Sequence, residues 1–435
     1  MKWVLGLLLL MSGSEVFAAN ACTELLFKSQ PTLEEYGRMA EEEHGKFDRL
    51  PNFRQGVRKL RDVNVELEHR KFTVQELVTE GYISIGKSRI EPDIPYIQIR
   101  LNKIDTVILV PEAGPSDIHK NPMMFVPGAG TPRSNGRSVT GPAYTFMKTK
   151  KSYRPALGDA LVNQQYVLGY RGYAYIFDPP GNFGFSRRAP GFLSSADGMQ
   201  IAMRHAHLIM DNYLRSKYKY ERPLIVAGRS MGGLQVAEYA HRFGYEDNLL
   251  AAIAVSPQPN QLINVINTME RHRPDGIATQ QLRLNGREIE LDHPTLYTAA
   301  VQSTNYRLVG KAKVPILFMQ SLLDPSYEKS LQTLWLNSLH KQDPTNHIIH
   351  YLPSELRAGH DLWDKPMSDS EIRRLTNRKR DADGEEAAER FLEEQKSEQQ
   401  FKAAIFDHTL YRIVNFINEA TFRYESFVRG GTLSR

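Results

Sequence analysis

Leu224-Ile225-Val226-Ala227-Gly228-Arg229-Ser230-Met231-Gly232-Gly233-Leu234 is the stretch on which the reading of this chain turns. Four apolar residues of strand character run into a turn rich in glycine, and a helical pattern, Leu234 to Phe243, leaves it. With Gly and Ser each at about 7% of residues, a Gly-x-Ser-x-Gly string arises by chance in a chain of this length with a probability on the order of 0.15, so the string alone decides little. The strand before it and the helix after it are the deciding context. In such a turn Ser230 takes a strained backbone conformation that pushes its hydroxyl into the open, while side chains at Gly228 and Gly232 would collide across the turn.

Working outward, the same kind of strand recurs. Met123 to Val126, Tyr173 to Phe177, Ala251 to Val255 and Ile316 to Met319 are continuous apolar runs. A strand apolar on both faces belongs in a parallel sheet covered by helices on both sides. Helical patterns such as Asp197 to Lys217 fill the gaps, so the fold class is α/β with a mostly parallel, doubly wound sheet. Tyr96 to Arg100 and Thr106 to Pro111, separated by Leu101 to Asp105, read as a hairpin ahead of it.

A serine hydroxyl is a weak nucleophile unless a base takes its proton, and the base needs an acid to orient it. Asp324 follows the apolar run Ile316 to Met319 in Gln320-Ser321-Leu322-Leu323-Asp324-Pro325, at that strand's C-terminal end. His360 follows a last strand, His347 to Leu352, in Ala358-Gly359-His360-Asp361. Asp343 is the rival acid, but Gln342-Asp343-Pro344-Thr345-Asn346 is a turn signal with no apolar strand before it. His205 and His207 stand two apart on a helix and face different directions, and no His, Cys or Glu cluster has zinc-ligand spacing. The tetrahedral oxyanion of acyl transfer needs two donors, for which the backbone N–H groups of Met231 and of Ala129, with Gly130 as the neighbouring alternative in the turn Pro127-Gly128-Ala129-Gly130, are the candidates. Neither a metal nor an organic cofactor is required.

These residues together resemble the α/β-hydrolase superfamily over about 91 to 424. Gly228 to Gly233 matches the elbow that carries the nucleophile, Asp178-Pro179-Pro180-Gly181-Asn182-Phe183-Gly184-Phe185-Ser186 is similar to a glycine-rich loop of the family, and Ser230, Asp324 and His360 follow its chain order. The resemblance implies a serine hydrolase that cleaves a small carboxylic ester through an acyl-enzyme. A serine aminopeptidase or amidase acting on short peptides is the alternative within the fold, with Glu270, Glu288 and Glu290 available to bind an amine. A non-enzymatic binding protein that keeps the fold while its site stands idle is the alternative outside catalysis.

The rest of the 435 residues is organised around that unit. Residues 1–18, with Lys2, the Leu7 to Leu10 run and a small-residue end at Ala18, read as a signal peptide, so the expectation is an exported protein, periplasmic or secreted. Residues 19–90 read as a polar helical extension, 261–312 as an inserted lid, and 367–402 as a charge-dense helical excursion before a final helix around Leu410 to Ile417. Composition, at 41% hydrophobic and 24% charged, is that of a folded protein with a sizeable core. A net charge of +5, from 55 basic against 50 acidic residues, gives no electrostatic case for nucleic acid. The single cysteine, Cys22, can form no intrachain disulfide, and membrane proximity would enter only if Cys22 carried a lipid.

Overall fold

The computed structural model describes residues 53–91, 94–111, 119–126, 173–178, 196–257, 280–284, 287–291, 310–324, 329–360, 362 and 369–430. Nine strands form its main sheet: β1 (Ile83–Glu91), β2 (Ile94–Leu101), β3 (Thr106–Pro111), β4 (Met123–Val126), β5 (Ala174–Asp178), β6 (Leu224–Arg229), β7 (Leu249–Val255), then, beyond a separate hairpin of β8 (Gln280–Leu284) and β9 (Arg287–Leu291), β10 (Ile316–Ser321) and β11 (His347–Leu352). Their spatial order is β1-β2-β3-β5-β4-β6-β7-β10-β11. The first pairings, β1 with β2, β2 with β3 and β3 with β5, are antiparallel; every later pairing is parallel. β6, which carries the turn into Ser230, therefore lies between β4 and β7 in the middle of the parallel region.

The apolar runs end up where burial on both faces requires them. Met124 and Val126 of β4 join one core cluster, and Met123 and Phe125 join the other, across the sheet. The first cluster is covered by α1 (Phe53–His69), α2 (Val74–Thr79), α3 (Ala196–Tyr218), α4 (Met231–Arg242) and α5 (Lys329–Gln342). The second is covered by α7 (Glu385–Gly430), whose Phe406, Leu410, Ile413, Phe416, Ile417 and Ala420 recur at helical spacing along one face. At 1.5 Å per residue, the 46 residues of α7 extend about 69 Å. α7 covers the sheet from Ile405 onward. Its N-terminal half pairs with α6 (Asp369–Asp383), the two being joined at Gly384, whose φ of +88° supplies the left-handed turn that ends α6.

Two boundaries differ from the sequence reading. The helical character expected through residue 90 stops at Thr79, and Ile83–Glu91 is instead the edge strand of the main sheet. Its polar composition hid it, since an edge strand carries polar and charged residues along its open edge. The segment before it also packs on the α/β unit: Leu60, Leu67, Phe72 and Leu77 are buried in the first cluster, and the Phe72 N–H donates to Asn212 Oδ1 of α3 at 2.9 Å. The charged excursion and the final helix, expected as separate features, share one uninterrupted α7 from Glu385 onward. Charge fills its surface where it lies against α6, and apolar residues begin where it meets the sheet.

Of the expected lid, 280–284 and 287–291 form the β8–β9 hairpin, while Gly310, Lys311 and Ala312 already belong to the α/β unit. Ala312 is buried, its N–H donating to Asp343 Oδ2 at 3.1 Å. The remaining lid positions and residues 1–52, with the expected signal peptide and Cys22, lie outside the described residues.

Candidate active site

β6 delivers Ser230 to the C-terminal edge of the sheet, and α4 begins at the next residue. Ser230 has φ 55° and ψ −122°, a combination that residues with a side chain seldom adopt. Two backbone hydrogen bonds hold it there: its N–H donates to Val255 O at the end of β7 at 2.9 Å, and its carbonyl accepts from Leu234 N at 3.3 Å. The glycines are needed for the same turn to close. A Cβ at Gly228 would stand 2.2 Å from the Gly232 carbonyl oxygen, and one at Gly233 would press on the Val255 carbonyl at 3.1 Å. Met231 opens α4, in the first turn, where backbone N–H groups have no partner within a helix. Ala129 and its turn, the 179–186 loop and Glu270 lie outside the described residues.

Asp324 follows β10 and His360 follows β11, adjacent parallel strands, so both approach the same edge of the sheet. His360 Nδ1 lies 2.8 Å from Asp324 Oδ2. The Asp324 side chain is fully buried, and that of His360 is 19% exposed. An ionised carboxylate can only accept, so the proton of the neutral ring sits on Nδ1 and the lone pair on Nε2. That is the tautomer a general base needs. Asp343, the rival acid, is spent on backbone: its carboxylate accepts from Ala312 N at 3.1 Å and Asn346 N at 3.2 Å.

Three further residues belong to the site. The hydroxyl of Ser256, just past β7, donates to the His360 carbonyl at 3.0 Å, and the hydroxyl of Ser321, at the end of β10, donates to the Ala358 carbonyl. Two neighbouring strands thus hold the loop that carries the imidazole. Gln320, completely buried, donates from Nε2 to Asp324 Oδ2 at 3.3 Å and to Ser321 O at 3.0 Å. The available signal was position: each is a polar residue at the carboxyl end of a continuous apolar strand, the edge where open α/β sheets place their sites.

His205 and His207 belong to the core, not to the site. His205 and His207 are buried in α3, and desolvation, aided by Lys103 and Arg204 respectively, pushes both down to about 3. Among the described residues no group of three or more His, Cys, Asp or Glu side chains could hold a metal ion, and no helix is long and apolar enough to cross a membrane.

No protein-family model matches the chain, and no curated protein matches it by sequence. Solved structures do. An acetyl xylan esterase from Paenibacillus sp. R4 is 11% identical, with 76% of this chain and 94% of that chain covered and a TM-score of 0.39. Est1E from Butyrivibrio proteoclasticus, solved with ferulic acid bound, is 14% identical over 67% of this chain and 96% of that one, with a TM-score of 0.36. An acylaminoacyl peptidase from Pyrococcus horikoshii is 14% identical over 66% of this chain and 40% of that one, also with a TM-score of 0.36. The chain's own features speak to the fold more directly: a mostly parallel sheet wound on both faces, a serine held at positive φ between strand and helix, and an aspartate and a histidine that follow it in sequence and meet at the same sheet edge. On those grounds the chain is an α/β-hydrolase in fold.

Proposed function

We propose that this chain is a serine hydrolase that cleaves a carboxylic ester through a covalent acyl-enzyme. The observation that carries this reading is the 2.8 Å contact between His360 Nδ1 and Asp324 Oδ2 at the sheet edge where Ser230 stands at φ 55°. In the proposed reaction His360 takes the Ser230 proton through Nε2 as Oγ attacks the ester carbonyl. Asp324 stabilises the imidazolium, and the N–H groups of Met231 and Ala129 receive the oxyanion. Collapse of the tetrahedral intermediate transfers the proton to the leaving alcohol. Water then enters by the same route and releases the acid.

The experiment is labelling with a fluorophosphonate, followed by turnover of aryl esters and aminoacyl amides in parallel. An adduct on Ser230 that is lost in Ser230→Ala, with esters turned over faster, supports the proposal. Faster turnover of amides moves the assignment to an amidase, and no adduct on the wild type leaves a binding protein. Export is part of the proposal and rests on the order of basic, apolar and small residues in 1–18. N-terminal sequencing of the protein recovered from outside the cytoplasm is expected to begin just after Ala18, and an intact Met1 would overturn it.

A further inference from the structure

We propose that Gln320 is a positioning residue for the acid of this site, holding Asp324 ionised and aimed at His360; the proposal rests on the serine-hydrolase reading above. Gln320 continues the row Ile316, Phe318, Gln320 along one face of β10, and the first two members of that row are fully buried core residues. By packing alone an apolar side chain belongs there. The amide is instead 0% exposed, and its Oε1 has no hydrogen-bond partner among the described residues. A buried polar atom left without a partner is unfavourable, and such departures concentrate at functional sites.

The nitrogen end accounts for the residue. Nε2 lies 3.3 Å from Asp324 Oδ2 and 3.0 Å from the Ser321 carbonyl. Both neighbours only accept, so the amide cannot be turned over; its two hydrogens must face them and its oxygen must face away. Oδ2 is the same oxygen that receives His360 Nδ1–H. A second donor on that oxygen favours the ionised carboxylate and fixes the plane in which it meets the imidazole. The Ser321 carbonyl ties the amide to the strand end from which Asp324 departs.

The test compares wild type with Gln320→Met, which keeps the volume and removes the donor, and Gln320→Glu, which keeps the shape and, as a protonated acid beside the Asp324 carboxylate, keeps a donor. For Gln320→Met, kcat for an aryl ester is expected to fall about tenfold with KM within about twofold. The acid limb of the kcat/KM profile should move upward by about half a pH unit, because a carboxylate with one donor fewer attracts the imidazolium more strongly. Gln320→Glu, kept protonated by burial beside the Asp324 carboxylate, still donates and should leave that limb near its wild-type position, the rescue that a donor role requires. In an Asp324→Asn background, Gln320→Met should cause no additional loss in the rate of fluorophosphonate labelling, since its partner is gone.

A fall in kcat without movement of the acid limb, or full additivity with Asp324→Asn, would show a purely structural role and overturn the proposal. If Gln320→Met does not give a cooperative melt, Gln320→Leu takes its place as the variant without a donor. Failure of the parent reading looks different: the wild type then takes no label on Ser230. A wild type that labels, beside a variant without the donor whose kcat and pH profile are unchanged, overturns the role of Gln320 alone.

Discussion

Ser256, one residue past β7, donates its hydroxyl to the backbone carbonyl of His360, 104 residues later, at 3.0 Å. The bond ties the histidine loop to the strand end that also accepts the Ser230 N–H through Val255 O, so Ser230 and His360 share one support. Ser321 adds a second tie at Ala358, and its Oγ also accepts from Leu323 N at 3.0 Å, inside the turn that presents Asp324. Replacing either serine by alanine should cost about 1 kcal/mol of stability, the usual net worth of one intramolecular hydrogen bond. Loosening the imidazole should cost more in rate: kcat for an aryl ester is expected to fall roughly 10-fold in either variant and further in the double variant. Ser256 has φ 42°, so Ser256→Gly removes the hydroxyl without adding strain and separates the two contributions. Steady-state kinetics and urea unfolding of the four variants check this, and unchanged kcat in Ser256→Gly would dismiss the tie.

Glycines on the two sides of the site should behave oppositely. At Gly228 an added methyl would sit 2.2 Å from backbone that cannot yield without opening the elbow. Gly228→Ala should destabilise by at least about 3 kcal/mol or prevent folding, and should abolish labelling of Ser230. Gly359, beside His360, has nothing within 4 Å of its hypothetical Cβ and no positive φ. Gly359→Ala should therefore stay within about 0.5 kcal/mol of wild type and keep its activity. Thermal melts of the pair decide the matter.

How far the sequence shows these relationships depends on the kind of interaction. β4, β5, β6, β7 and β10 were legible because each is a short, nearly continuous apolar run, and the elbow was legible because sterics restrict which residues can occupy it. Edge strand β1 was not, since polar residues on an open edge carry no strand periodicity. The ties from Ser256 and Ser321 showed only as polar residues at strand ends, because each reaches a backbone carbonyl brought close by the sheet order, and the contact of Gln320 with Asp324, four residues on, depends on how the turn after β10 folds. α7 was divided in two because its neighbour changes, from α6 to the sheet, without a break in its backbone.

Acid should destabilise the fold through its buried histidines. His205 and His207 are pushed down to about 3 by burial, whereas an unfolded chain protonates them near 6.5. Between those values the unfolded state binds more protons, so stability is lost as pH falls, with a limiting slope of about 1.4 kcal/mol per pH unit for each ring. His205 has no hydrogen-bond partner on either nitrogen among the described residues. His205→Leu should therefore match or exceed wild-type stability at pH 7.5 and flatten the slope by one ring. His207 shares a hydrogen bond of 2.9 Å with the Tyr239 hydroxyl, so His207→Leu should cost about 1 kcal/mol at pH 7.5 while flattening the slope similarly. Urea unfolding between pH 7.5 and 5 measures both; a slope unaffected by either change would contradict the linkage.

Strand β11 is fixed on both faces by imidazole pairs. His347 Nε2 lies 2.9 Å from Nε2 of His241, in the last turn of α4, and His350 Nε2 lies 2.8 Å from Nε2 of His408 on α7. Three residues apart on a strand, His347 and His350 point to opposite sides. His347 Nδ1–H donates to Leu339 O at 2.7 Å, so its Nε2 accepts and His241 supplies the proton. A further proton on either pair leaves two N–H groups facing each other. Burial followed by the neighbouring His347 pushes His241 down to about 4, and burial followed by His408 does the same to His350. These rings take up protons in the unfolded chain first, so their contribution is lost as pH falls from about 6.5 towards 4. Amide exchange, corrected for its intrinsic pH dependence, should show protection in β11 falling over that range before protection in β6 and β7. Simultaneous loss in all three strands would refute the local effect.

The N-terminal segment offers the sharpest contrast between buried and exposed charge. Arg204 of α3, with a side chain only 7% exposed, lies 2.9 Å from Asp247 and 3.4 Å from Glu68 of α1, and its guanidinium covers the Phe243 ring at 4.9 Å. Asp247 is 18% exposed and also accepts from Gly244 N at 3.1 Å, whereas Glu68 is 49% exposed. Removing one member of a buried pair strands the charge of the other, while removing a solvated partner leaves water to replace it. Arg204→Met should therefore cost about 3 kcal/mol, Asp247→Asn a similar amount, and Glu68→Gln less than about 0.5 kcal/mol. Because α1 also anchors through Leu60 and Leu67 in the core, all three variants should retain ester turnover at temperatures below their melts. A Glu68→Gln penalty equal to that of Asp247→Asn would mean that α1 is held by charge, not by its apolar face.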